Sequence, residues 1–247
     1  MRRPVRARAA HGALAGLSGG GAYTARMVLR PLVVAFDVNE TLFSLDAVGR
    51  ALHEVGAADG TLQRWFSQVL SDGFALTCAG DFVPFRDLAQ HTLARMLDDD
   101  EMAATVLERF AQLDPHPDVR PALERLVDAG VPAVTLTNGH ADVTERLLER
   151  AGLRHLVASC HDVGEVRRWK PAALPYTHCA NRNEATPERM AMVAVHSWDV
   201  HGARRAGLAT GYASRHEGGA VTAFEAADVN AIDLSGVVDG LLALPSR

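Results

Sequence analysis

The stretch Val33-Val34-Ala35-Phe36-Asp37-Val38-Asn39-Glu40-Thr41-Leu42 decides the fold. Four apolar residues in a row, closed off by polar punctuation, read as a buried strand. Asp37 stands where that strand ends, and Asn39, Glu40 and Thr41 follow at once. An aspartate in this position is either a strand terminator or a nucleophile presented at the mouth of a sheet. The rest of the chain decides between the two.

From about Leu45 to Asp114 the apolar residues fall at helical spacing. Leu62, Trp65, Phe66, Val69 and Leu70 form one set, and Phe85, Leu88, Leu93 and Met96 or Leu97 a second. "DEMAATVLERFAQL" forms a third. Pro115 and Pro117 then break the helical pattern. "DVRPALERLVDAG" is a helix ended by Gly130, and "VPAVTLTNG" a buried strand running into a turn. "ADVTERLLERAGL" is a helix, "HLVASC" a strand, and a further helix begins behind Lys170-Pro171. "RMAMVAVHS" and "ATGYAS" are strands flanking the turn and helix of "WDVHGARRAGL", and "GVVDGLLALPSR" is a final helix and tail. This alternation predicts an α/β chain, a Rossmann-like doubly wound parallel sheet with a small α-helical cap inserted after the first strand. The expected partition is a disordered extension over 1–29, an α/β core over 30–45 and 115–247, and the helical cap over 46–114.

The 247 residues carry a net charge of −5, unevenly distributed. Residues 1–30 hold six arginines and no acid, so the remainder is near −11, a poor surface for nucleic acid. The Arg- and Ala-rich start lacks the continuous apolar run of a secretory signal; it reads as a disordered tail or as sequence upstream of a start at Met27. No run of about 18 apolar residues exists for a membrane span. Cys78, Cys160 and Cys179 are widely spaced, as expected of reduced thiols in a cytoplasmic protein. Neither they nor His140 and His201 show paired metal-ligand spacing.

Ligands of doubly wound sheets sit at the carboxyl ends of the strands. Four segments send polar residues there: Asp37; Thr137 and Asn138; Lys170; and His196 to Asp199. A carboxylate nucleophile divides one hard displacement into two easier steps. Thr41 and Lys170 can orient Asp37 and keep it ionised. Thr137 and Asn138, where a strand gives way to a turn, suit a carboxylate or a developing anion. Asp199 can hold Lys170, polarise a water or bind a cation.

The order Asp37…Thr137…Lys170…Asp199 resembles the four motifs of the haloacid dehalogenase superfamily, over about Leu32 to Tyr212. Phosphatases and mutases of that superfamily carry a second Asp, the general acid, two residues after the nucleophile. Here that position is Asn39, and an amide cannot protonate a leaving group. Other features are similar to the L-2-haloacid dehalogenases: "WKPAALPY" with Tyr176 six residues beyond Lys170, "SWDVHGARRAG", and "TLTNGH" with Thr137 for a serine. Arg64, in "TLQRWF", falls where that branch has the arginine that receives the halide. Asn39 stands for a tyrosine, Glu40 for a glycine, and Ala194 and His196 for a serine and an asparagine. Trp65, Phe66 and Trp169 read as packing residues.

The resemblance implies hydrolytic dehalogenation of small L-2-haloalkanoic acids through an aspartyl ester. Asp37 would attack the α-carbon, and halide would depart toward Arg64 and Asn138. Thr137 and nearby backbone N–H groups would hold the substrate carboxylate, with Lys170 and Tyr176 supporting Asp37. Water positioned by Asp199, with His196 as a possible base, would complete the hydrolysis without metal or cofactor. Two alternatives stay open: a Mg²⁺-dependent phosphatase binding the ion through Asp37 and Asp199 with Glu40 as acid, and a protein of the same fold with little activity. The expected partner is a small-molecule substrate, with a second copy pairing through an apolar cap face at Trp65, Phe66 and Phe74.

Overall fold

The computed structural model describes residues 27–219 and 221–246. Most of the extension read over 1–29 therefore lies outside the described residues. Six strands form one wholly parallel sheet: β1 (Val33–Phe36), β2 (Ala133–Thr137), β3 (Ser159–Asp162), β4 (Met190–Ala194), β5 (Ala209–Ala213) and β6 (Val229–Ala231). Their spatial order is β3-β2-β1-β4-β5-β6. The chain builds outward from β1 in one direction, then returns to lay β4 on the other side. The connections diverge between β1 and β4, and this reversal opens a crevice at their carboxyl ends. Asp37 follows β1 directly, and His196 to Asp199 follow β4.

β1, β2, β4 and β5 are buried along their whole length, as parallel strands covered on both faces must be. The covering helices are α5 (Val119–Asp128), α6 (Ala141–Arg150), α7 (Ala173–Arg182), α8 (Ser197–Arg205) and α9 (Leu234–Leu242). Gly130 takes the left-handed φ of 66° that ends α5, as its position predicts. Two details of the sheet differ from expectation. β3 begins only at Ser159, because Arg154–Leu156 coil into a 3₁₀ turn. The edge strand β6 went unread, since "VNA" is short, half exposed and carries no apolar run.

Between β1 and α5 the chain forms α1 (Asp46–Glu54), α2 (Thr61–Ala79), α3 (Phe85–Leu97) and α4 (Asp100–Leu107), with no strand among them. The third helical set does not continue to Leu113: α4 stops at Leu107 and a 3₁₀ turn covers Glu108–Gln112. The insertion leaves and re-enters at one place, where His116 N–H donates to Leu42 O and Ser44 N–H to Asp114 O at 2.9 and 3.0 Å. Trp169, on the core side, fastens it. Its indole N–H donates to Val83 O and its backbone N–H to Thr77 Oγ1, both at 3.0 Å. The Trp169 ring lies so close to Gly73 of α2 that a Cβ there would come within 2.4 Å of it.

Candidate active site

The end of β1 delivers Asp37 into a set of fully formed contacts. Thr41, one turn on, donates its hydroxyl to Asp37 Oδ2 at 2.8 Å and accepts Val195 N–H at 3.2 Å. Lys170 Nζ donates to Asp37 Oδ1 at 2.9 Å, to Asp199 Oδ2 at 2.6 Å and to Leu136 O at 2.8 Å. An ammonium has three protons, so all three are committed. Lys170 is the sole lysine in the sequence; every other fixed side-chain cation is arginine. Tyr176 donates its hydroxyl to Asp199 Oδ1 at 2.6 Å. Lys170 and Asp199 are 0% exposed and Asp37 5%.

Two carboxylates share one ammonium, and their proton affinities move apart. Burial works to raise the Asp37 carboxyl, but Lys170 and His196 outweigh it and hold it well below the carboxylate range. Asp37 is therefore ionised. Burial raises Asp199, Lys170 only partly offsets this, and the charge of Asp37 adds to it. For Lys170 itself burial is outweighed by Asp199 and Asp37, so its proton is held more firmly than usual. Both oxygens of Asp199 already accept hydrogen bonds, and an ammonium lies between the carboxylates. That arrangement does not fit a divalent cation held by Asp37 and Asp199, and no group of three or more metal-binding side chains occurs among the described residues.

His196, just before α8, brings Nδ1 to 3.4 Å from Asp37 Oδ2. This is a charge contact rather than an aligned hydrogen bond, and Nδ1 is buried with no hydrogen-bond partner. The ring stacks on Trp198 (centroids 5.5 Å, 24°), meets Phe66 of α2 at 6.1 Å and stands edge-on to His216 at 5.4 Å. Phe74 packs on Trp198 at 5.0 Å. Phe66 and Trp198 thus flank His196 beside Asp37, with Phe74 packed behind Trp198. The dimer face expected at Trp65, Phe66 and Phe74 is not available as such. Trp65 is fully buried with its indole N–H on Ala89 O, and both phenylalanines face the site.

The structure gathers Asp37, Thr41, Lys170, Tyr176, His196 and Asp199 into one cluster. Asn138 joins it by clasping the Lys170 backbone: its Oδ1 accepts Lys170 N–H at 2.8 Å and its Nδ2 donates to Lys170 O at 3.3 Å. One Nδ2 proton goes to this clasp, and the second is left to donate. Thr137 Oγ1 accepts Gly139 N–H at 2.9 Å, which leaves its proton to donate. Asn39 Nδ2 lies on the same side, 4.0 Å from where a Gly139 Cβ would stand. Arg64 is not brought in. It is exposed, and its guanidinium donates to Asp59 O and Thr61 Oγ1 within its own helix start. It lines an outer cleft of about 480 Å³ with Val55, Met96, Leu97 and Met102. The reason is helical phase: Arg64 precedes the site-facing Phe66 by two residues, roughly 200° around α2. Glu40 keeps the left-handed φ of 62° that a glycine would take freely. Its carboxylate accepts Leu45 N–H at 2.9 Å and approaches His216 at 3.5 Å, and no contact links it to Asp37.

Sequence reasoning missed three supports. Arg215 binds Asp118 Oδ2 at 2.9 Å and the backbone carbonyls of Glu40 and Thr41, pinning the loop after β1. Glu217 accepts Ser197 N–H at 3.1 Å and Tyr212 O–H at 3.0 Å beside His196. His216 lies next to it. All three sit past β5, in a segment whose composition gives no signal.

The family model described as haloacid dehalogenase-like hydrolase matches residues 32–207. The chain is 26% identical over 183 residues to the (S)-2-haloacid dehalogenase 4A of Burkholderia cepacia, covering 71% of this chain and 79% of that one. A shorter match, 34% identical over 100 residues and 39% of the chain, is to the phosphoglycolate phosphatase of Chromobacterium violaceum, covering 45% of that protein. In fold it is similar to an L-2-haloacid dehalogenase of Xanthobacter autotrophicus solved with chloropropionic acid covalently bound. That likeness has a TM-score of 0.79 at 22% identity, over 87% of this chain and 99% of that one.

Proposed function

Since the chain belongs to the haloacid dehalogenase-like hydrolases, we propose that it hydrolyses the carbon–halogen bond of small L-2-haloalkanoic acids. The observation that carries this reading is the Asp37 carboxylate, kept ionised by Lys170, with the amide of Asn39 rather than a carboxylic acid two residues beyond it. A halide needs no proton to depart; a phosphoester oxygen does. Asn39 supplies none, and the carboxylate of Glu40 is engaged by Leu45 N–H. The (S)-2-haloacid dehalogenases among the curated relatives support the substrate class.

Asp37 attacks the α-carbon from the side opposite the halogen and forms an ester. Thr137 and nearby backbone N–H groups take the substrate carboxylate. Phe66, Phe74 and Trp198 enclose the alkyl chain and halogen, as apolar pockets do. The helical block between β1 and α5 acts as the cap that closes them over Asp37. Lys170, Thr41 and Tyr176 keep the two carboxylates in place while charge leaves Asp37. No step uses a metal or cofactor. The reaction takes place in the cytoplasm.

The test is chloride release from L- and D-2-chloropropionate, with and without EDTA, beside phosphate release from p-nitrophenyl phosphate with Mg²⁺. The expected result is chloride from the L-acid only, indifferent to EDTA and abolished in Asp37→Asn. Phosphate release without chloride would overturn the reading.

A further inference from the structure

The second half of such a reaction needs a base for water, and the residues of the cluster leave one choice. Asp199 is wholly buried with both carboxylate oxygens occupied by Lys170 and Tyr176. Lys170 has no free lone pair while protonated and no free proton. Thr41 is fixed between Asp37 and Val195. His196 alone keeps a ring nitrogen unpartnered, and that nitrogen points at the nucleophile from 3.4 Å. In the free enzyme, however, it faces an anion. Burial lowers the proton affinity of this imidazole, but Asp37 outweighs it, with lesser help from Asp199 and Glu217, so the ring is held protonated above its ordinary range. A protonated imidazole is no base.

We propose that esterification of Asp37 converts His196 from the counter-ion of the nucleophile into the general base of the hydrolytic step. This rests on the dehalogenase reading above. Attack by Asp37 forms a carbon–oxygen bond and breaks the carbon–halogen bond, whose electron pair leaves on the halide. Asp37 is then neutral, and burial is the dominant influence left on the imidazole. His196 gives its proton to solvent past His216, which is partly exposed and contacts both it and Glu40. Neutral Nδ1 takes a proton from water as the water oxygen attacks Asp37 Cγ. The tetrahedral adduct collapses, the ester electron pair leaves on the product oxygen, and that oxygen takes the proton from His196. The regenerated carboxyl of Asp37 returns its proton to His196 and restores the pair. The acid that the overall hydrolysis liberates is thus the proton lost by His196 at the ester stage. The stack on Trp198, the contact with Phe66 and the neighbours Asp199, Glu217, His216 and Lys170 are unchanged throughout; only Asp37 alters its charge.

Two measurements test this. In the first, the His196 ring protons are titrated by NMR in the wild type and in Asp37→Asn, whose neutral amide imitates the ester. The midpoint is expected to fall in the variant; an unchanged midpoint overturns the switch. In the second, His196→Gln is mixed with L-2-chloropropionate. A chloride burst of about one per chain is expected, with ester on Asp37 visible by intact mass, followed by turnover slowed about 10²–10⁴-fold and restored in part by added imidazole. Wild-type steady-state turnover in His196→Gln, or loss of the burst with the turnover, overturns it. A wild type that releases no chloride from any haloacid overturns the dehalogenase reading and the step built on it. The NMR titration needs no turnover and then still upholds or overturns the switch.

Discussion

Lys170 makes the two carboxylates compatible. Replacing it with methionine would leave Asp37 and Asp199 buried side by side without a cation. Removing one partner of a buried ion pair costs about 3–5 kcal/mol. The expected outcome for Lys170→Met is destabilisation of that order at neutral pH, read by denaturant unfolding, together with loss of chloride release. The loss of stability should shrink in acid, where one carboxyl takes a proton and the repulsion ends. Equal destabilisation at both pH values would show that the lysine acts through packing alone. Glu40 offers a second test among single residues. Its φ of 62° strains any side chain, while its carboxylate caps Leu45. Glu40→Ala loses the cap and keeps the strain; Glu40→Gly loses both. Glu40→Gly is expected to be the more stable of the two by about 1 kcal/mol, and the reverse order would refute the strain argument.

At the scale of elements, α2 does two things with two faces. One face presents Phe66 and Phe74 to the site; the other side of the turn sends Arg64 outward. Between them, Gly73 admits the Trp169 ring, and Trp169 is the residue immediately before Lys170. A glycine inside a helix costs about 1 kcal/mol relative to alanine, so its presence is explained by this close approach. Gly73→Ala should therefore destabilise despite the better helix propensity, by about 1–3 kcal/mol of overpacking. Because Trp169 moves with Lys170, turnover should fall more than KM rises. A stable variant with ordinary kinetics would mean that the insertion is not fastened here.

Over the whole molecule, the site leaves a mark on stability against pH. Asp37 has a folded value below its ordinary 3.8, so its contribution is complete above that pH and is lost as pH falls through the folded value. Asp199 opposes it on the acid side, being pushed above 3.8. His196 is raised from 6.5, so its contribution is complete below 6.5 and is lost as pH rises through the higher folded value. Thermal unfolding should show a midpoint that declines as pH rises from 6.5 through the folded value. In Asp37→Asn that decline should flatten or move to lower pH, because the imidazole has lost its counter-charge. An identical alkaline limb in both proteins would mean that His196 does not sense Asp37.

What the sequence determined by itself was the order of parts and the type of chemistry. Alternating periodicity declared a parallel α/β sheet, and the polar residues after β1, β2 and β4 declared the edge where chemistry occurs. Asp37, Lys170 and Asp199 were legible because each follows a strand or opens the connection to a helix; Thr41 followed from its nearness to Asp37, and Tyr176 from the resemblance of "WKPAALPY" to the dehalogenases. The tertiary structure decided everything that depends on angle and distance. Arg64 was read from its place in a string, but the phase of α2 turns it away from Phe66 and out of the site. Asn138 is an anion ligand on the sequence reading, and the structure adds a second task, the clasp on the Lys170 backbone. Arg215, His216 and Glu217 were invisible because only the closing of the sheet at β5 carries them to β1. Sequence fixes which groups a chain owns; packing alone decides which of them still have a free lone pair or proton to use.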